Sequence, residues 1–436
     1  MLNQKFYTQR RQKLLASIDN GVIIIPSFPL KLMSNDVHYK YRQHTELLYY
    51  VGYPEPDTIA ILEKNNELTQ FLLFVPKRDP EFEIWNGKRY GVDGAVHEFN
   101  ADKAYETEEF ESELLPILKR NETVYYMSGI DEKIDQIVEK TISVAINSRD
   151  KIGSGPINLI NPINIFHHQR VVKTEEEIEL IEKSAKISAD AMTNAMEVTK
   201  PGVFEYQIEG LINYHYFKNG AERCAYPAIV GGGVNATILH YITNQDKLNE
   251  GELLLIDAGA EYMGYAADIT RTWPINGKFT EPQKEIYSLV LNTLETCTKM
   301  VKPGIQFKEL SKIAISMLTE GLIKLGLLTG DRDELIENAA FKRFYMHRLG
   351  HWLGIDTHDT GQVVIDEAVL REGHYFTIEP GIYIPTDEDI PEKYRGIGVR
   401  IEDDILVTND AYRVLTKNVV KSIDEIEKIV GTKELP

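Results

Sequence analysis

The amino-acid sequence predicts a two-domain protein of mixed α/β (α+β) type whose second domain is internally duplicated. Short apolar runs rich in β-branched and aromatic residues alternate with helical periodicity in residues 1–170. Near the end of this region, a stretch rich in Gly, Ser, Pro and Asn at 153–164 is the best candidate for a linker. Two short motifs then recur in the same order within residues 171–436, which we interpret as the second domain.

The first domain combines predicted strands with two predicted helices. Its short apolar runs predict strands at 21–25, 47–51, 58–62, 71–75 and 123–127. Apolar residues at helical spacing predict helices at 109–118 and 131–146. This mixture predicts an α/β unit.

The second domain opens with a long predicted helix at 175–198, because Thr174 and Glu177 have the spacing of a capping box. The sequence KPGV at 200–203 precedes a helical pattern at 206–218, and KPGI at 302–305 precedes another at 308–325. One strand pattern then ends in IDAG at 256–259 and a second in IEPG at 378–381. Two repeats in the same order predict a duplicated fold with a pseudo-two-fold axis.

Composition restricts the partners and the location. Lys and Arg number 48 against 67 Asp and Glu, a net charge of −19, so nucleic acid and anionic membranes are poor partners. Two cysteines, Cys224 and Cys297, are too few for a disulfide framework and suit a reducing compartment. Residues 1–15 lack a secretion signal, and no window approaches about 18 uninterrupted apolar residues. We therefore expect a cytoplasmic protein with neither nucleic-acid nor membrane partners.

Four acidic residues stand at corresponding places in the two repeats. An antiparallel hairpin centred on residues 262–263 would place Asp257 directly opposite Asp268. In the second repeat Glu379 ends one strand pattern, and Glu402 lies in another at 398–402. If the two halves pack face to face, the four carboxylates converge on one place.

Converging carboxylates repel one another and need a compensating positive charge. Acids on exposed hairpins are common, and that explanation is favoured for any single one of the four. The apolar run before Asp257 and the repeated placement instead favour a buried pair of divalent metal ions. An oxygen-rich site with one imidazole suits Mn²⁺, Fe²⁺, Co²⁺ or Zn²⁺.

Histidines supply the candidate imidazole. His347, His351 and His358 fall within one short segment, and His240 lies in another apolar stretch. The spacing of His347 and His351 is that of a zinc-binding helix, but no Glu follows His347, and glycines at 350 and 354 disfavour a helix. A lone histidine is more often a hydrogen-bonded structural group, whereas this cluster favours a functional site.

Five motifs of the second domain together resemble the aminopeptidase P family of pita-bread metallopeptidases, which are Xaa-Pro aminopeptidases, and are also similar to prolidase. The motifs are IDAG at 256–259, ADITRT at 267–272, HRLGHWLG at 347–354, IEPG at 378–381 and RIEDD at 400–404. YRQ at 41–43 and EIWNG at 83–87 extend the resemblance to the first domain. It implies a pita-bread second domain. One departure is Arg348, where the family usually has Gly.

The resemblance also implies a set of metal ligands and a reaction. Asp257 would bind one of two divalent ions, Asp268 and Glu402 would bridge both, and His351 and Glu379 would complete the second, with Mn²⁺ the expected metal. A hydroxide bridging the ions would attack the peptide bond before a proline. Glu379 would carry the proton from this nucleophile to the leaving nitrogen.

The same resemblance implies roles for five further residues. His240, His347 and His358 would line the substrate site, and either His240 or His358 could stabilise the oxyanion. Tyr383 and Arg400 would form hydrogen bonds around the metal ligands.

The resemblance implies a homodimer or homotetramer acting on peptides with an Xaa-Pro N-terminus. In this assembly the first domain, including Asp36 and Trp85, would help to close the substrate site of a neighbouring subunit. For Trp85, a role in the hydrophobic core is about as well supported as substrate binding.

Two alternative functions stay open at this point. Prolidase performs the same chemistry on dipeptides alone, and the EIWNG motif around Trp85 favours aminopeptidase P over it. A catalytically inactive relative that only binds peptides is disfavoured, because all five metal ligands are present.

Overall fold

The structure is a computed structural model that describes residues 3–66, 68–148 and 155–435. These residues fall into two units, one ending at Gln169 and the other beginning at Arg170. The predicted fold class is confirmed, because each unit combines helices with sheets.

The first unit contains a six-stranded mixed sheet. Its helices and strands are α1 (Gln4–Ala16), β1 (Gly21–Pro26), β2 (Leu32–Ser34), β3 (Val37–His38), α2 (Thr45–Tyr50), β4 (Ile59–Lys64), β5 (Thr69–Val75), α3 (Pro80–Asn86), α4 (Gly91–Phe99), β6 (Lys103–Glu106), α5 (Phe110–Lys119), β7 (Thr123–Tyr126), α6 (Glu132–Asn147), β8 (Asn158–Ile160) and α7 (Ile163–Arg170). The strand order in the sheet is β6-β5-β4-β1-β7-β8. Strand β1 is buried along its whole length, as its uninterrupted apolar sequence predicts.

Two predictions for this unit are wrong. Residues 47–51 were expected to form a strand but lie largely in α2, whose last carbonyls accept hydrogen bonds from Arg10 and Arg11 of α1. A five-residue apolar run suits a buried helix as well as a strand, and this capping from a distant element favours the helix. The expected linker at 153–164 contains β8, an exposed edge strand beside β7, while its first two positions lie outside the described residues.

The second unit repeats one order of elements. It contains α8 (Glu175–Val198), α9 (Glu205–Lys218), β9 (Arg223–Cys224), β10 (Ile229–Gly232), β11 (Leu253–Asp257), β12 (Ala260–Tyr262), β13 (Tyr265–Ala266), β14 (Thr270–Pro274), α10 (Glu281–Lys299), α11 (Phe307–Lys324), α12 (Arg332–Glu337), β15 (Tyr375–Ile378), β16 (Gly381–Tyr383), β17 (Gly398–Arg400), β18 (Asp403–Val407), β19 (Tyr412–Val414) and α13 (Ile423–Ile429). In each half, a helix pair precedes a group of antiparallel strands. The small sheets have the orders β10-β11-β14, β13-β12-β9, β15-β18-β19 and β16-β17.

One apolar core joins the two halves of this unit. Ile256 of β11 and Ile378 of β15 are fully buried in the same cluster, together with Trp273 of β14. Because Asp257 and Glu379 directly follow these two isoleucines, the core fixes where both acids stand at the ends of their strands.

The register of the first hairpin differs from the prediction. Its turn lies at Met263–Gly264, one residue later than expected, and Asp257 pairs with Thr270 instead of Asp268. Both turn residues have positive φ, 49° and 85°, the conformation of a type I′ turn that glycine favours. The pairing therefore shifts by two residues, and a shift of two keeps Asp257 and Asp268 on the same face.

Gly259 occupies a position on this hairpin that has no space for a side chain. A Cβ there would lie 1.7 Å from the carbonyl oxygen of Ala267. Glycine at this position, two residues after Asp257, thus lets the backbone approach Ala267, the residue before Asp268.

Across the described residues, none of the helices has the length and apolarity needed to cross a bilayer.

Candidate metal centre

The four predicted acids lie at strand ends of the second unit. Asp257 is the last residue of β11, Asp268 lies between β13 and β14, Glu379 directly follows β15, and Glu402 lies between β17 and β18. Among the hydrogen bonds that join the halves here are those from the Glu402 amide to the Thr270 carbonyl (3.0 Å) and from the Thr270 hydroxyl to Glu402 Oε2 (2.7 Å). Asp268 and Glu402 are only 5% and 1% exposed.

His351 reaches this cluster from a segment that runs beside β15 and is not helical. Its amide donates to Thr377 Oγ1 (3.1 Å), and its carbonyl accepts from the Thr377 amide (3.0 Å). A Cβ at Gly350 would lie 1.9 Å from the Thr377 carbonyl oxygen, so glycine is required for this close approach. The structure therefore agrees with the expectation that His347 and His351 do not share a helix.

The ring of His351 is oriented towards the carboxylates. Its Nδ1 bonds to the carbonyl oxygen of Trp352 (3.0 Å), which leaves Nε2 facing Asp268 Oδ2 at 3.5 Å and Glu379 Oε1 at 3.7 Å. Asp268, His351 and Glu402 each offer one ligand atom within 4.8 Å of the others.

Burial dominates the electrostatics of the cluster. It raises the pKa of Asp257 to about 6 and that of Glu379 to about 7, with neighbouring acids adding to both shifts. Burial and three nearby acids also raise the pKa of Glu402 well above its usual range. Burial alone would lower the pKa of His351, but Asp268 and Glu379 outweigh it and raise that pKa to about 9. His351 in turn holds the pKa of Asp268 below its ordinary value despite burial.

These side chains fit a divalent metal ion. Oxygen donors with one imidazole are the donor set that Mn²⁺, Fe²⁺, Co²⁺ and Zn²⁺ accept. The hydrogen bond of His351 Nδ1 to a carbonyl fixes the tautomer in which Nε2 is free to coordinate. A bound cation would also offset the repulsion that raises the pKa of three of the four acids.

A chain of hydrogen bonds connects Asp257 to His347. Arg400 Nη2 donates to Asp257 Oδ2 (2.6 Å), and Arg400 Nη1 donates to the Tyr383 hydroxyl (2.9 Å), which lies 2.8 Å from His347 Nε2. His347 Nδ1 bonds to the carbonyl oxygen of Arg348 (2.8 Å), so Nε2 accepts the Tyr383 hydroxyl proton. Burial, with the Arg400 charge, lowers the pKa of His347 to about 4 and keeps the ring neutral.

The two other predicted histidines border the cluster. The His358 ring stands edge-on to His351 with centroids 4.6 Å apart, and its pKa is lowered by burial and then by the His351 charge. His240 is exposed, and the residues on either side of it, Leu239 and Tyr241, pack against a buried cluster that contains Tyr383.

The other two predicted site residues lie in the first unit. Asp36 lies in the exposed turn between β2 and β3 of the first unit. Trp85 lies in α3 of the same unit and is 86% exposed.

Sequence reasoning missed two residues that contact the acids. The Tyr226 hydroxyl lies 2.6 Å from Asp257 Oδ1 and 2.5 Å from Asp268 Oδ1. Thr270 bonds to Glu402 across the two halves. Strand alternation could have identified Thr270, which is two residues after Asp268 and on the same face. No comparable signal marks Tyr226, which lies in a separate segment.

Comparison with known proteins identifies close relatives. Residues 179–409 match metallopeptidase family M24, and residues 7–127 match the aminopeptidase P N-terminal domain. The Xaa-Pro aminopeptidase of Escherichia coli K12 is 39% identical over 432 residues, which are 98% of each chain. The structure of Pseudomonas aeruginosa aminopeptidase PepP has a TM-score of 0.94 at 40% identity, covering 98% of both chains. The structure of Zn-substituted E. coli aminopeptidase P in complex with product has a TM-score of 0.94 at 39% sequence identity and also covers 98% of both chains.

Replacing Tyr226 with Phe removes the hydroxyl that Asp257 and Asp268 share. We expect the affinity for Mn²⁺ to fall by about 10–100-fold, as is usual when an outer partner of metal ligands is lost. Metal titration measures this. The matched control is Tyr287→Phe, which removes a buried hydroxyl bonded to the Lys421 carbonyl (2.8 Å) and should leave the affinity unchanged. Equal affinities in the two variants would contradict a role for Tyr226.

Metal binding should release protons at neutral pH. Glu379 and His351, with pKa values raised to about 7 and about 9, carry protons that a metal ion must displace. The apparent affinity should therefore fall as the pH is lowered from about 9 to about 5. Calorimetric titration in two buffers of different ionisation enthalpy counts the protons released. Binding without proton release would show that these side chains are not the ligands.

Proposed function

The chain belongs to metallopeptidase family M24, and from this membership we propose how its own side chains carry out the cleavage of peptides. It is an Xaa-Pro aminopeptidase, which removes the N-terminal residue from a peptide with proline in the second position. The observation that carries this function is 39% identity to an Xaa-Pro aminopeptidase over 98% of both chains. The buried cluster of acids with one imidazole is consistent with it.

Five side chains are proposed to hold two divalent metal ions, with Mn²⁺ as the metal used. Asp268 and Glu402 would bridge the ions, Asp257 would bind one of them, and His351 and Glu379 would bind the other. Bound divalent ions supply positive charge that polarises a carbonyl and lowers the pKa of water. The proposal is supported by the contacts of His351 Nε2 with two of these acids and by the burial of Glu402.

Glu379 is proposed as the proton carrier. Without a bound metal ion, burial raises its pKa to about 7, so this carboxylate can hold a proton near neutral pH. Its Oε2 lies 3.7 Å from His347 Nδ1, so it stands between the ligand cluster and the predicted substrate side. The nitrogen of a proline peptide bond has no hydrogen, and it must gain a proton before it can leave. Glu379 would take that proton from the attacking water.

The neutral histidines are proposed to bind substrate. Burial lowers the pKa of both His347 and His358, which favours uncharged rings, and a neutral His358 ring can donate one hydrogen bond and accept another. His240 or His358 would donate to the oxygen on which negative charge develops. Tyr383, held by Arg400, would fix the orientation of His347.

A homodimer or homotetramer is also proposed, in which the first unit of a neighbouring copy closes the substrate site. The support is the exposure of Asp36 and of Trp85, the latter in a helix without buried residues. A cytoplasmic location is proposed because Cys224 and Cys297 are free thiols, which suit a reducing compartment.

A panel of three peptides tests the function. With Mn²⁺, we expect release of the first residue from an Xaa-Pro-Xaa tripeptide and almost none from the matching Xaa-Ala-Xaa tripeptide. A chelator should abolish this activity, and Mn²⁺ should restore it. Cleavage of the Xaa-Pro dipeptide alone would assign the chain to prolidase, and equal cleavage of both tripeptides would assign a general aminopeptidase.

Two variants test the role of Glu379. Glu379→Gln removes both a metal ligand and the base, so turnover should fall by more than the ~10²–10⁴-fold typical of acid–base catalysis alone. His358→Ala should lower activity while the metal content stays that of the unmodified protein, since His358 is not assigned as a ligand. Metal stoichiometry is measured beside kinetics. Full metal content and near-normal turnover in Glu379→Gln would refute the assignment.

A further inference from the structure

A buried carboxylate stands apart from the metal cluster, in the first turn of α9. Glu205 has no exposed surface, and within the described residues its two oxygens accept four hydrogen bonds, all from neutral donors. Burying an acid costs free energy unless its hydrogen bonds are complete. Because all four hydrogen bonds are made, this carboxylate can fix the position of the residues that donate them.

The four donors are the last residue of β10 and three residues of the segment that connects β10 to β11. Oε1 accepts from the Gly232 amide (2.8 Å) and from Asn235 Nδ2 (3.1 Å). Oε2 accepts from the Tyr241 hydroxyl (2.8 Å) and from the Asp246 amide (2.9 Å). Glu205 thus binds the beginning, the middle and the end of one loop, which we call the 232–246 loop.

His240 lies within this loop, directly before Tyr241. The residues on either side of it, Leu239 and Tyr241, pack against a small buried cluster that contains Leu255 of β11 and Tyr383 of β16. At Gly398 a Cβ would lie 2.2 Å from the Ala236 carbonyl, so β17 also approaches the loop closely. The loop is therefore packed against the strands that carry the site, while His240 itself is exposed.

Since His240 is exposed, its position depends on the loop that carries it. We infer that Glu205 is a positioning residue for His240, acting through the 232–246 loop, and this inference rests on the proposed role of His240 in binding substrate. A carboxylate suits this task because both of its oxygens accept. A glutamine of the same shape presents one NH₂ group to two donors, and two of the four hydrogen bonds are lost.

A double-mutant cycle tests the inference in the full-length enzyme loaded with Mn²⁺. Glu205→Gln should lower kcat/KM on an Xaa-Pro-Xaa tripeptide by about 10²-fold, the size expected for misplacing a substrate-binding group by about 1 Å. His240→Ala should lower it by about 10²–10³-fold. If Glu205 acts through His240, adding Glu205→Gln to His240→Ala should cost less than about twofold, and metal content should stay constant in all three variants.

Glu177→Gln is the matched control, because Glu177 is also a buried carboxylate in the first turn of a helix. It accepts from the Thr174 amide (3.0 Å) and the Tyr265 hydroxyl (3.1 Å), away from the 232–246 loop. Its effect on kcat/KM should be the same with and without His240→Ala. Should Glu205→Gln fail to fold, Tyr241→Phe removes one of the four hydrogen bonds and enters the same cycle.

The possible results distinguish the proposed role of His240 from the inference about Glu205. If His240→Ala retains the kcat/KM of the unmodified enzyme, the proposed role of His240 is wrong, and the inference fails with it. If His240→Ala lowers kcat/KM but the losses from the two changes multiply, only the inference about Glu205 is overturned. The same holds if Glu205→Gln alone leaves kcat/KM unchanged.

Discussion

Mutual repulsion among four carboxylates is the constraint on which the second unit depends. Asp257, Asp268, Glu379 and Glu402 approach one another where the apolar core ends, and removing them from water raises their free energy unless positive charge is near. Arg400 and His351 supply part of that charge within the chain. The negative charge that they leave uncompensated gives the site an affinity for a divalent cation. The same repulsion that opposes folding therefore favours metal binding.

Hydrogen-bond donors then determine where three of the four acids point. Tyr226 is shared by two of the acids, Thr270 orients Glu402, and Arg400 orients Asp257 while also holding Tyr383. Asp257 is bonded at both of its oxygens, whereas the hydroxyls of Tyr226 and Thr270 engage one oxygen each of Asp268 and Glu402. The two hydroxyls add no charge that would compete with a metal ion, whereas Arg400 places one positive charge beside Asp257.

Patterns local in the sequence allowed much of the fold to be predicted, and contacts between distant segments account for the errors. Strand β1 has the length and β-branched composition of a buried strand, and α8 has a capping box at its start. The run at 47–51 carries no such signal. Its last helical carbonyls instead accept hydrogen bonds from the distant Arg10 and Arg11 of α1. In the site, the duplicated pattern of strand, acid and glycine predicted the acids. Tyr226 could not be predicted, because its relation to Asp257 exists only after folding.

The split of the cluster between two halves has a consequence for synthesis on the ribosome. Asp257 and Asp268 emerge first, and Glu402 follows only after a second helix pair and a second set of strands has been made. A nascent chain that has completed one half holds two acids without their partners. The four acids therefore come together only after residue 402 has been made and the second half has packed against the first.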